Sequence, residues 1–192
     1  MRKSFYLQDT VEAARQLLGK LLVHRTPEDA AGGMIVETEA YVGAVDKACH
    51  TYNGISPRTE IMFAEGGVAY VYLIYGMYHC FNAVTGPAGE GDAVLIRALE
   101  PVFGLDLMRR RRGQRDLRKL CSGPGKLCQA LAIGKPQYGL DLTGEELFIA
   151  DFRTIPEELV ARGPRINVDY AEEAVDFPWR FRVRDSKYVS RR

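Results

Sequence analysis

The sequence predicts an α+β fold, a single compact domain over residues 1–192 with a curved, mostly antiparallel sheet flanked by helices. Three observations predict it. Strand-like runs follow one another as neighbouring hairpins instead of alternating with helices. Helical patterns gather near the start and again after residue 104. The 192 residues, 46% hydrophobic and 27% charged, suffice for one full core, and no repeat or low-complexity linker divides them.

Taken in order, "DTVEAARQLLG" reads as the first helix. Asp9 is its N-cap with Glu12 three residues on, Val11, Ala14 and Leu17 or Leu18 form one apolar face, and Gly19 ends it. "KLLVHR" and "GMIVETEAYVG" are strands joined by the turn-rich "TPEDAAGG", a hairpin. After the polar loop "DKACHTYNGISPRTE", two β-runs in "GGVAYVYLIYGMYHCFNAVT" hinge at Tyr75-Gly76. "DAVLIRALEP" is a further buried strand. "GLDLMRRRR" places Leu105 and Met108 at helical spacing. "SGPGKLCQALAIG" opens a helix with Ser122 as N-cap and Pro124 in the first turn, ending at Gly134. "EELFIAD", "RINVDYA" and "WRFRVRD" complete the list of expected strands.

Side chains alternate across a strand, so residues two apart share a face. In "MIVETEAYV", Ile35, Glu37, Glu39 and Tyr41 then point one way, while Met34, Val36, Thr38, Ala40 and Val42 form an ordinary core face. Two readings fit the first set: the wall of a polar cleft, or a half-exposed sheet face with solvated glutamates. Tyr70 and Tyr72 share a face of the next strand, Val71 and Leu73 take the other, and Tyr78 follows on the return strand. A cross-strand aromatic ladder accounts for most of these rings. Tyr75 at a hairpin tip has little to pack against in its own fold, which suggests that it inserts into something else.

The formal net charge of +1 does not by itself argue for a polyanion partner. The distribution does more. "RRRRGQRDLRK" sets Arg109, Arg110, Arg111, Arg112, Arg115, Arg118 and Lys119 against the single acid Asp116, and Arg180, Arg182 and Arg184 alternate along a second, basic stripe. Such runs are either solvated faces or contacts to a nucleic-acid backbone. Four cysteines without short paired spacing read as reduced thiols of a cytosolic protein. No signal-peptide core opens the chain and no apolar run has membrane-spanning length, so an intracellular, soluble protein is expected. Cys49-His50 and His79-Cys80 are poor zinc ligands because neighbours on an extended chain point apart. "SGPGKL" fails the phosphate-loop pattern on its first glycine, although the helix start there could hold a phosphate.

The blocks "VETEAY", "SPR…MF", "AYVYLIYGMYHCFN", "DAVLIRALEP", "LCSGPGKLCQALAI" and "PWRFRV…YVS" occur in an order that resembles the bacterial-type alkyladenine (3-methyladenine) DNA glycosylase family, from about Phe5 to about Ser190. The resemblance implies a monomeric α+β glycosylase of base-excision repair, needing no metal or other cofactor, with double-stranded DNA containing damaged purines as its partner. It implies that Glu39 is the general base that activates water. Tyr41, His50 and Tyr72 would line the pocket for a flipped-out base, the tyrosines stacking on it. Tyr75 would be the wedge that fills the gap in the stack. Asn82 would crowd the exocyclic amine of normal guanine, and Arg97 would sit near the backbone of the flipped nucleotide. No lysine stands in the two matched pocket strands, which argues against a Schiff-base step. A cytoplasmic, nucleoid-associated location follows. Departures fall at Cys49, Thr59, Asn167 and Lys187, where serine, asparagine, glycine and proline are the more usual residues. The alternative reading is a non-catalytic protein that senses lesions or bent DNA with the same wedge and basic rim; a protein that binds or modifies RNA is a third.

Overall fold

In the computed structural model, which describes residues 1–191, eight strands hydrogen-bond into one antiparallel sheet. They are β1 (Leu21–Arg25), β2 (Ala30–Tyr41), β3 (Ala69–Ile74), β4 (Tyr78–Thr85), β5 (Asp92–Phe103), β6 (Leu147–Ala150), β7 (Val160–Gly163) and β8 (Arg180–Val183). The spatial order is β3-β4-β5-β2-β1-β6, with β8 also paired to β2 and β7 paired to β8. The helices are α1 (Lys3–Tyr6), α2 (Thr10–Gln16), α3 (Leu105–Arg112), α4 (Leu117–Leu120) and α5 (Pro124–Leu131). The expected α+β class is the observed one. Among the described residues no helix is long and apolar enough to cross a membrane.

β2 is the axis of the sheet. Its first half pairs with β1, its second half with β8, and β5 runs along its other edge. Residues Glu37–Glu39 are therefore flanked by β5 and β8 on the two sides. The main core lies beneath, where Ile35, Ala40, Ile96 and Leu99 of the sheet join Ala14, Leu17, Leu127 and Leu131. Each of these leucines and isoleucines contributes about 1.5–3 kcal/mol on burial. Thr38 Oγ1 donates to the Ala14 carbonyl at 2.8 Å and pins α2 to the underside of β2. The first helix begins as expected: Asp9 accepts from the Glu12 N–H at 2.8 Å. Gly19 ends this region at φ +84°, where an added Cβ would lie 2.6 Å from the Arg153 carbonyl oxygen. The buried face of α2 carries Ala13 with Ala14, however, while Val11 is only half-buried.

Several expectations are corrected. "AAGG" belongs to β2 rather than to the turn, so the first hairpin is tighter. Ser122 does not cap α5; Gly123 holds that position at φ 149°, and the helix stops at Leu131 with Ala132 in the left-handed region. "RINVDYA" is not a strand. Asn167 has φ 61°, which interrupts extension, and Val168 and Ala171 pack with Ala48 and Ala174 instead of pairing with a strand. Conversely β7, in "VARG", has too little apolar patterning to be read and is paired by β8. The parity expected of β2 also breaks. A register irregularity on either side of Glu37 turns Ile35 into the main core with Ala40, while Met34 and Val36 join a separate cluster with Ala98. A bulge reverses alternation in this way.

Candidate active site

The β2 irregularity leaves Glu37, Glu39 and Tyr41 facing away from α2, with Arg97 of β5 across from them. Glu39 has no solvent exposure. Its Oε2 accepts from the Tyr41 hydroxyl at 2.9 Å and from Arg97 Nη1 at 3.0 Å, and its Oε1 accepts from the Ile166 N–H at 2.8 Å. A carboxylate offers roughly four acceptor positions, so three donors fix the group and leave one direction open. Burial first, and then the Glu39 charge, push the Tyr41 hydroxyl well above its ordinary value, so it remains a donor. Burial works against the Arg97 charge, but Glu39 and Glu37 outweigh it and hold this guanidinium more firmly charged than an ordinary arginine.

Above this group lies a cavity of about 380 Å³, in the size range of small-molecule sites. Tyr41, His50 and Tyr72 form aromatic walls, and Arg97 and Ile166 reach it from the Glu39 side. The His50 ring lies 4.7 Å from that of Tyr72 at 75°, and its Nδ1 is 2.9 Å from the Tyr70 hydroxyl. Burial, reinforced by the Arg58 charge, pushes His50 down to about 4, so its ring is neutral at physiological pH. Arg58 lies 5.0 Å from the Tyr72 ring centroid.

Tyr75 and Tyr78 stand at the lip of the cavity. Tyr75 is 72% exposed. The Met77 N–H donates to the Ile74 carbonyl, and both central residues of this turn have positive φ, 53° at Tyr75 and 68° at Gly76. That is the primed hairpin geometry favoured by strand twist. Glycine meets it without strain, whereas a tyrosine in the left-handed region costs about 1–2 kcal/mol.

Tyr41, His50, Tyr72, Tyr75 and Arg97 thus converge on one cavity. Glu39 lies immediately behind its surface, held by three residues that line it. Asn82 does not line it; the residue is buried and donates to the Tyr70 carbonyl at 3.2 Å. Sequence reasoning missed Ile166, which acts through its main chain and so leaves no signal in residue type. It also missed Arg165 and Asp46, a fully buried ion pair. Arg165 additionally donates to the Ala40 carbonyl at 2.9 Å and lies 4.7 Å from the Tyr41 ring centroid, so it fixes the loop that presents Ile166.

The basic runs are less uniform than their spelling. Arg180 turns inward to Glu37, and Arg184, just past β8, donates to the Glu158 carbonyl, so two of the three arginines of this stripe already have partners within the protein. In the other run Arg109, Arg111, Arg118 and Lys119 each face an aspartate, on an ordered α3–α4 segment. Among the described residues Arg110 and Arg115 are exposed and form no ion pair. No group of three or more histidine, cysteine, aspartate or glutamate side chains converges as a metal site among the described residues.

The family described as methylpurine-DNA glycosylase (MPG) matches residues 4–187. A protein of Alkaliphilus oremlandii named "Putative 3-methyladenine DNA glycosylase" is 49% identical over 201 residues, covering 100% of this chain and 99% of its own. One of the same name from Bacillus cereus is 50% identical over 200 residues, covering 98% of each.

Proposed function

The chain belongs to the methylpurine-DNA glycosylase family, and on that premise we propose that it hydrolyses the N-glycosidic bond of alkylated or deaminated purines everted from duplex DNA, using a water activated by Glu39 and leaving an abasic site. Family membership makes it a DNA glycosylase for alkylated bases; the purine substrates, base eversion and the role of Glu39 belong to the proposal. One observation carries it: a buried carboxylate, held by three donors with one acceptor direction open, backs an aromatic-walled cavity whose lip bears an exposed tyrosine.

A base inside a duplex is out of reach, and everting it costs a few kcal/mol of stacking and pairing. Tyr75 offsets part of that cost by filling the vacated space. Tyr41 and Tyr72 offer rings worth about 1–3 kcal/mol per stacked base. A purine alkylated at a ring nitrogen carries positive charge, which electron-rich rings favour further. Neutral His50 adds a hydrogen-bonding edge without repelling that charge.

Breaking the glycosidic bond builds positive charge on the sugar. Glu39 stabilises that charge and takes the proton of the attacking water. One base and one water, with no protein nucleophile, give inversion at the sugar carbon. Among the described residues no lysine lines the cavity, which supports simple hydrolysis without strand cleavage. Asn82 would act on base selection from below, through the Tyr70 strand to which it is bonded. The protein would work as a monomer.

The test is a set of duplexes, each with one defined lesion (3-methyladenine, 7-methylguanine, hypoxanthine or etheno-adenine), incubated with protein with and without subsequent alkali. Strand breaks that need alkali are expected for at least one lesion. Breaks without alkali would overturn the monofunctional assignment, and no breaks with any lesion would favour a non-catalytic lesion binder.

A further inference from the structure

Glu37 has no task in the chemistry above, yet it is a carboxylate with no solvent exposure. Its Oε1 accepts from Arg180 Nε at 2.7 Å and from Ser190 Oγ at 3.0 Å, and its Oε2 accepts from the Ser190 N–H at 2.6 Å. Arg97 Nε stands 3.5 Å from the same Oε1, while the other end of that guanidinium reaches Glu39 at 3.0 Å. The charges therefore form a row, Arg180–Glu37–Arg97–Glu39, two positive and two negative. Its members come from β8, β2, β5 and β2. Arg97 divides its attraction unequally: its buried Nε finds no hydrogen bond of good geometry, whereas Nη1 donates to Glu39.

We propose that Glu37 is a positioning residue that sets the basicity of Glu39 by drawing part of the Arg97 charge away from it. This rests on Glu39 being the base. Without a second carboxylate the whole Arg97 charge would fall on Glu39 and compete with a water for its oxygens. A second carboxylate on the same guanidinium relieves that, and Arg180 limits the relief by neutralising Glu37. The other groups that face Glu39 do not supply this adjustment. Tyr41 of β2 and Cys80 of β4 are held neutral, chiefly by burial. Arg165, beside the Ile166 amide, is committed to Asp46. Removing the charge of Glu37 or of Arg180 must then move Glu39 in opposite senses, which a merely structural role would not do.

The experiment measures single-turnover base release against pH on a one-lesion duplex for the wild type, Glu37→Gln, Arg180→Gln and Glu39→Gln. In Glu37→Gln the acid limb is expected to move to lower pH by about one unit, with a plateau rate about threefold lower because the base is weaker. In Arg180→Gln the limb is expected to move to higher pH. Shifts in the same direction, or none, with Glu39→Gln inactive, would overturn the proposal for Glu37 alone. Base release by Glu39→Gln at the wild-type rate would instead overturn the assignment of the base. Should Glu37→Gln not fold, Arg180→Gln decides: the Arg180 side chain keeps 12% of its surface exposed where that of Glu37 has none, and an unmoved limb in that variant overturns the proposal.

Discussion

The floor of the cavity and its lip are built on opposite terms. At the floor, Glu37, Glu39 and Arg97 are buried, paired and held by strands from three parts of the chain. At the lip, Tyr75 is 72% exposed, in a turn of two positive-φ residues. The floor withdraws charge from water and fixes it, which is what the proposed action on one developing charge would require. The lip keeps an apolar ring in water at some backbone cost, and such a ring gains from contact with something outside the fold. On the proposed function chemistry and access are separable, and substitutions in the two regions are expected to fail differently.

The largest effect is expected at the floor. Arg97→Met leaves two carboxylates without their shared cation, and should lower folding stability by about 3–5 kcal/mol, read by chemical denaturation. Unchanged stability would show that the charge row does not hold the floor together. The lip responds in another way. Tyr75→Ala should slow base release from duplex about tenfold to hundredfold while leaving single-stranded substrate within about threefold, because only the duplex needs a wedge. Its folding stability should be unchanged, and Tyr75→Gly should raise it by about 1 kcal/mol through relief of the left-handed strain. Equal losses on duplex and single strand would place Tyr75 in the chemistry and dissolve the contrast.

How far the two regions were legible in the sequence follows the same division. The lip announces itself: a tyrosine followed by glycine between two β-runs specifies a hairpin and leaves the ring no partner. The floor was read correctly for Glu39 with Tyr41 and incorrectly for Ile35, because a bulge is a property of backbone pairing and alternation cannot reveal it. Ile166 serves through its amide, and "RINVDYA" carries strand-like residue types, so neither its loop conformation nor its place over Glu39 was visible. The basic stripe in "WRFRVRD" was misread for a related reason. Alternation is real, but Arg180 finds a buried carboxylate, and partner choice at long range is not written in spacing.

Two smaller effects sharpen the comparison. His50 stands in the walls as a neutral ring, with its proton affinity lowered from an ordinary 6.5 to about 4 by burial and then by Arg58. The folded state therefore takes up that proton less readily than the unfolded chain, and stability held above pH 6.5 should be lost as pH falls toward 4. Thermal melts of wild type and His50→Gln across that window check this: the variant should lose less on acidification, and identical slopes would contradict a neutral, buried His50. The smallest effect is expected on the outer surface. Arg110→Ala should weaken DNA binding only a few-fold and reduce the slope of log affinity against log salt by about one. An unchanged slope would remove Arg110 from the DNA contact.

The most direct test of the central claim, that the floor performs the chemistry while the lip provides access, is single-turnover base release by Glu39→Gln, with binding to the same lesion duplex measured alongside. Binding within about threefold of wild type and release at least hundredfold slower is the expected result. Release at the wild-type rate by a well-folded Glu39→Gln protein would contradict it.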